Sequence, residues 1–123
     1  MKNILKITVG TVAALALTLA LSHVGAQARF DFTGSYSVAG VNPDGSKYQQ
    51  SVVVTAFGDG YRVAYDDGET GIATDVGDTI AVASQDRGIP TVSVLKIINS
   101  RQVSGFWQDY TSKTEGKEVW TQQ

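Results

Sequence analysis

From residue 29 onward the chain alternates apolar and polar side chains with a period of two, in short runs that recur about every ten residues and stop at Gly, Asp, Asn or Ser. An amphipathic helix needs apolar residues at i, i+3, i+4 and i+7, and no stretch of helical length keeps that spacing. The pattern predicts an all-β chain. Eight runs qualify as strands: RFDFTGSYSVAG, KYQQSVVVTAF, YRVAYD, ETGIATDV, DTIAVAS, TVSVLKII, QVSGFWQ and GKEVWTQ. In the first, Phe30, Phe32, Gly34, Tyr36 and Val38 share one parity, so they face the core together. The links GDG, DDG, GD, DRGIP, NS and SKTEG are short turn chemistry, which joins neighbouring strands antiparallel. Sequential antiparallel strands predict a small eight-stranded up-and-down barrel, because closure removes edges that would template aggregation. An open β-sandwich is the alternative, since strand count does not fix closure. An outer-membrane barrel is disfavoured: its strands need ~9–11 residues with a lipid-facing apolar band, and most of these runs are shorter.

The most pointed motif, Asn42-Pro43-Asp44-Gly45, reads as a hairpin corner. Pro43 presets φ at the second position, Asp44 suits the third, and Gly45 accepts positive φ, which describes a type I turn ending in a bulge. A direct ligand role for these residues is the lesser alternative.

The first 28 residues follow different rules. Lys2 and Lys6 precede an apolar run from Ile7 to Leu21, and Ala26-Gln27-Ala28 is a small-x-small cleavage pattern. A helical secretory signal peptide is expected over 1–28, followed by a single domain over 29–123, exported to the periplasm or the medium. Stable membrane insertion after cleavage is not expected, because the apolar run is shorter than the ~20 residues a spanning helix needs. Cleavage would leave 8 basic and 12 acidic residues, a net charge of −4, which argues against nucleic acid or anionic lipid as the partner.

His23 and Met1 leave with the leader and the chain has no Cys, so residues 29–123 contain no His, Cys or Met. The customary ligands for zinc, copper, haem or iron–sulfur centres are missing, and a nucleophilic serine would lack its base. No cofactor and no metal are expected. The acidic run Asp59, Asp66, Asp67, Glu69, Asp75 and Asp78 lacks calcium-loop spacing and reads as solvated turn carboxylates. A carboxylate-only hydrolase is the remote enzymatic alternative.

Within this frame, Gly34-x-Tyr36, Asn42-Pro43-Asp44-Gly45-Ser46-x-Tyr48, Tyr61-x-Val63, Gly71-x-Ala73, Gly105-x-Trp107 and Gly116-x-Glu118-x-Trp120 fall in a recognisable order. That order resembles a family of small exported bacterial β-domains often labelled fibronectin-binding-like. Gln49-Gln50 and NSRQVSG depart from its glycine and Asp-Gly pattern. The resemblance implies a binding protein without enzymatic activity. In architecture the chain is also distantly similar to lipocalin and avidin barrels.

The candidate ligand-binding residues are Tyr36, Tyr48, Tyr61, Tyr65, Trp107, Glu118 and Trp120. Glu118 shares its parity with Trp120, so it should face inward, and a buried carboxylate needs a partner; Arg62, Lys96 and Arg101 are the available cations. Gly34, Gly71 and Gly105 weaken strands with no local gain, which implies bends or close approach. These readings predict a binding protein that holds a small apolar or aromatic ligand inside the barrel, or a protein on its surface. The alternative is an envelope interaction domain whose core is filled.

Overall fold

The computed structural model describes residues 30–123, so the expected signal peptide lies outside the described residues. Eight strands follow in order: β1 (Gly34–Val41), β2 (Lys47–Phe57), β3 (Gly60–Tyr65), β4 (Thr70–Val76), β5 (Thr79–Asp86), β6 (Ile89–Asn99), β7 (Gln102–Asp109) and β8 (Gly116–Gln122). Each pairs antiparallel with the next, and β1 pairs with β8, so the sheet is a closed up-and-down barrel. The open sandwich is excluded.

The period of two places side chains as the sequence predicts. On β1, Tyr36 and Val38 are buried and Ser35 and Ala39 exposed; on β8, Gly116, Glu118 and Trp120 are buried while Lys117, Val119 and Thr121 are exposed. The corner at Asn42 also forms as expected. Gly45 donates its N–H to the Asn42 carbonyl at 2.8 Å, Asn42 N–H reaches the Ser46 carbonyl at 2.7 Å, and Gly45 has φ +90°. The same two-bond pattern recurs at Tyr65-Asp66-Asp67-Gly68-Glu69, with Gly68 at φ +94°.

Several boundaries differ from the sequence reading, and two of the differences have a clear physical reason. Ile89 and Pro90 belong to β6, not to the preceding link, because Arg87 adopts φ +50° and Gly88 φ +83°, making a two-residue turn of the primed kind that suits strand twist. Residues 30–33 precede β1 instead of extending it. There Phe32, fully buried, folds over one end of the barrel, and its carbonyl accepts the Tyr36 hydroxyl at 2.9 Å. Thr33 is held by the Gln122 side chain, which donates to its carbonyl.

That end is solid. Phe32 lies 5.4 Å from the rings of both Tyr36 and Tyr61 and 5.5 Å from Trp120, with Val38, Val54, Val63, Ile80, Val82, Leu95 and Val103 packed around them. An eight-stranded interior is just wide enough for side chains to fill, and here they fill it.

Candidate functional site

The opposite end is different. In an up-and-down barrel alternate turns share an end, so the β1–β2, β3–β4, β5–β6 and β7–β8 connections surround one mouth. Inward positions near it carry Gly40, Gly71, Ser84, Ser93, Gly105 and Gly116 in place of the Val, Ile and Leu of the closed half. Small residues there leave a cavity of about 470 Å³, within the usual range of small-molecule sites.

Three aromatic rings wall it: Tyr48, Tyr65 and Trp107. Tyr48 lies opposite Gly40 across the β1–β2 ladder, and Trp107 opposite Gly116 across β7–β8. A Cβ at either glycine would run into the ring facing it, so both glycines are seats for aromatic side chains. The rings of Tyr48 and Trp107 then meet edge-to-face at 6.3 Å. Gly71 and Gly105 serve closeness of another kind, since a Cβ there would strike the Ala83 and Val94 carbonyl oxygens of the neighbouring strands.

Glu118 stands at the bottom of the cavity, 6 % exposed. Its partners correct the expectation of a cation. Tyr48 donates its hydroxyl to Oε1 at 2.8 Å, and Trp120 donates its indole N–H to Oε2 at 2.9 Å. Arg62 instead covers the Phe57 ring at 4.1 Å, Lys96 pairs with Asp78, and Arg101 donates to the Gln122 carbonyl. Those three cations sit on the outer wall or toward the closed end, where the strand register cannot bring them to Glu118. Burial pushes the Glu118 carboxyl above its ordinary range, against the two hydrogen bonds that favour the ionised form.

Glu69, at the β3–β4 turn, also reaches into the mouth and accepts the Ser84 hydroxyl. Burial raises its pKa, the Ser84 hydrogen bond opposes that, and the charges of Asp67, Asp86 and Glu118 raise it further. The tyrosines respond in the same direction. Tyr48 and Tyr65 are held neutral well above the ordinary phenol range, first by burial and then by the Glu118 charge. The Trp107 indole favours the Tyr48 phenolate slightly, but its buried Nε1–H lacks the geometry of a hydrogen bond to any acceptor.

Of the seven residues singled out from the sequence, the fold brings Tyr48, Tyr65, Trp107 and Glu118 together around the cavity. Tyr36 and Trp120 are buried in the closed half, and Tyr61 packs on Phe32 there. Tyr36, surrounded by apolar groups, has its pKa pushed up to about 12. At the Asn42–Gly45 corner, Asn42 contributes to the rim of the cavity while Asp44 and Gly45 are exposed.

The acidic run divides between the two ends. Asp66, Asp67 and Glu69 belong to the mouth, joined by Asp86 and Asp109, which no pattern in the sequence marks. Asp59 and Asp78 occupy turns at the other end. Carboxylate oxygens of Asp67, Glu69 and Asp86 lie within 4.8 Å of one another, so the rim has the donor set for a hard cation. The chemistry on view is recognition: aromatic walls, buried acceptors and a carboxylate rim.

The fold and site define the chain as a small closed β-barrel with a cavity open at one end. Among solved structures it is similar to a redesigned β-barrel at TM-score 0.66 and 16% identity, covering 74% of this chain and 90% of that one. It is also similar to a de novo designed fluorescence-activating β-barrel at TM-score 0.58 and 14% identity, covering 75% and 94%. A third is a redesigned barrel solved bound to DFHBI, at TM-score 0.59 and 14% identity, covering 73% and 97%. No protein-family model and no curated protein matches the sequence.

Proposed function

We propose that the chain is an exported, non-enzymatic binding protein that holds a small organic molecule in the open half of its barrel. The observation that carries this is the half-filled interior: one end is packed solid, and the other keeps about 470 Å³ walled by Tyr48, Tyr65 and Trp107. Retaining that space leaves aromatic surface without packing partners, a cost that a ligand recovers. A designed barrel of similar fold was solved with a small molecule bound, which supports room for one in an interior of this size. The sequence-level likeness to exported bacterial binding domains supports the same reading, as does the Ala26-Gln27-Ala28 cleavage pattern for export. Outward positions on β2 and β8 mix Lys47, Gln49, Ser51, Thr55, Lys117 and Thr121 with Val53, Phe57 and Val119, so this part of the wall lacks the continuous apolar band of a lipid-facing barrel.

Recovery of the protein from its host under native conditions, followed by mass spectrometry, tests both parts. Arg29 at the N-terminus and a retained small molecule are expected. A chain that keeps its leader refutes export; an empty barrel whose mouth amides respond to no member of an aromatic fragment library refutes the ligand reading.

A second reading, a protein partner on the outer wall, draws on exposed Ile72, Val92, Val94 and Phe106 on β4, β6 and β7. Loss of a partner in pull-downs with Phe106→Ser and Val94→Ser variants would favour it.

A further inference from the structure

The charge around the cavity is one-sided. Six carboxylates line it: Asp66, Asp67, Glu69, Asp86, Asp109 and Glu118. The single cationic side chain in the lining, Arg87, is 86% exposed and already paired with Asp86 at 3.3 Å. Glu118 is the deepest of the six, and its two hydrogen bonds come from neutral donors, a phenol and an indole. A buried carboxylate normally has a cation beside it, because its desolvation is otherwise uncompensated. Here, among the described residues, Glu118 is paired with no cation, Arg87 being engaged with Asp86.

The hydrogen-bonding capacity is equally one-sided. A carboxylate oxygen has two acceptor sites; Glu118 uses one on each oxygen, and Glu69 accepts one hydrogen bond, from Ser84. Acceptors therefore remain, between rings whose faces attract positive charge. An inorganic ion would satisfy the rim cluster of Asp67, Glu69 and Asp86, but it would leave the Tyr48, Tyr65 and Trp107 walls and most of the 470 Å³ unused.

Resting on the cavity reading above, we infer that the ligand is an organic cation: a protonated amine carried on a flat apolar or aromatic body. The ammonium N–H groups reach the free acceptor sites of Glu69 and Glu118, and the body lies among Tyr48, Tyr65 and Trp107. The carboxylates at the rim draw the cation in before contact, and this steering weakens with salt. The raised pKa values of Glu69 and Glu118 mark the same deficit, which a bound ammonium would reverse.

Three probes with one indole body and different side-chain charge test this: tryptamine, tryptophol and indole-3-acetate. Each is titrated into the processed chain recovered after export, at neutral pH and low salt, by calorimetry and by amide chemical shifts. Tryptamine is expected to bind at least about 10-fold tighter than tryptophol, with indole-3-acetate weakest, since hydrogen bonds to charged groups contribute at least that factor. Its shifts should centre on Tyr48, Glu69, Trp107 and Glu118. The preference should shrink in Glu69→Gln and separately in Glu118→Gln. Tryptophol or indole-3-acetate binding at the mouth as tightly as tryptamine overturns the charge assignment and leaves the cavity reading standing. Calcium shifting Asp67, Glu69 and Asp86 while tryptamine is silent overturns it in favour of a metal ion. Silence of the mouth towards all four probes overturns both.

Discussion

The two tryptophans carry the same side chain on neighbouring strands, yet replacing each by Phe should have very different consequences. Trp120 is fully buried against Phe32, Tyr36 and Tyr65, and its N–H is one of two donors holding the buried Glu118 carboxylate. Trp120→Phe removes a hydrogen bond to a charged acceptor, worth about 1.5–3 kcal/mol, and the smaller ring in a packed core adds about 1–2 kcal/mol. The expected loss is about 2.5–5 kcal/mol, a large part of the stability of a domain this size. Trp107 borders the cavity, and its N–H has no acceptor. Removing an unpaired buried donor recovers about 1–3 kcal/mol, which offsets the weaker packing of a smaller ring over Gly116 and leaves a net change within about 1 kcal/mol. Urea unfolding followed by far-UV circular dichroism measures both. Equal losses at the two positions would refute the reasoning, because they would mean that the Trp120–Glu118 bond contributes nothing or that the Trp107 ring is core. A pH series adds a check. Once Glu118 is protonated the Trp120 N–H no longer meets a charge, so the Trp120→Phe penalty should shrink in acid.

Three further outcomes follow from the same geometry. Gly45 has φ +90° with no atom near the position of a Cβ, so Gly45→Ala should cost about 1 kcal/mol through backbone strain alone, and an unchanged denaturation midpoint would contradict the turn assignment. Gly40→Ala and Gly116→Ala should each push an aromatic ring off its seat, at about 1–3 kcal/mol, and reduce binding at the mouth, seen as a weaker amide-shift response to added ligand. For the ligand-free protein, Glu69 and Glu118 have raised pKa values, so their contribution to stability is present in acid and is lost as pH rises through those values. Melting temperature should therefore climb as pH falls from neutral toward about 4.3, then drop below about 3.9 as Asp31, Asp44, Asp78 and Asp109, whose pKa values are lowered by hydrogen bonds, take up protons. Glu118→Gln should flatten the first limb.

The strands are legible in the sequence because alternation is a local property: Tyr61, Val63 and Tyr65 share a face whatever surrounds them. The corner at Asn42 is legible for the same reason. Pro90 misleads because a proline two residues after a glycine reads as a link, whereas Arg87 takes the left-handed conformation and lets β6 begin earlier. The site is harder to see, since it depends on height along the barrel axis and not on parity. Tyr36, Tyr48 and Trp120 all face inward, and only the strand register decides that Tyr48 lies level with Gly40 and Glu118 while Tyr36 lies beside Gln122 at the closed end. The place of Glu69 and Asp86 in the mouth is hidden for a related reason. Their neighbours in sequence show only turn chemistry, whereas turn alternation in an up-and-down barrel sends every second turn to the same mouth.

Side-chain size along each strand then explains why the cavity opens where it does. On β5 the inward series runs Ile80, Val82, Ser84, Asp86, and on β6 it runs from Ile97 and Leu95 to Ser93 and Thr91, each changing from large apolar to polar side chains toward the mouth. On β8 it runs Trp120, Glu118, Gly116. Hydrophobic burial is thereby concentrated in one half, which leaves the other free to be built from small and polar groups that add little apolar burial of their own. Glu118 sits on the boundary, gripped by Trp120 from the packed side and by Tyr48 from the open side. A charge arriving in the mouth would therefore act on a carboxylate whose second oxygen is anchored in the core, with Tyr48 as the one donor holding it from the open side.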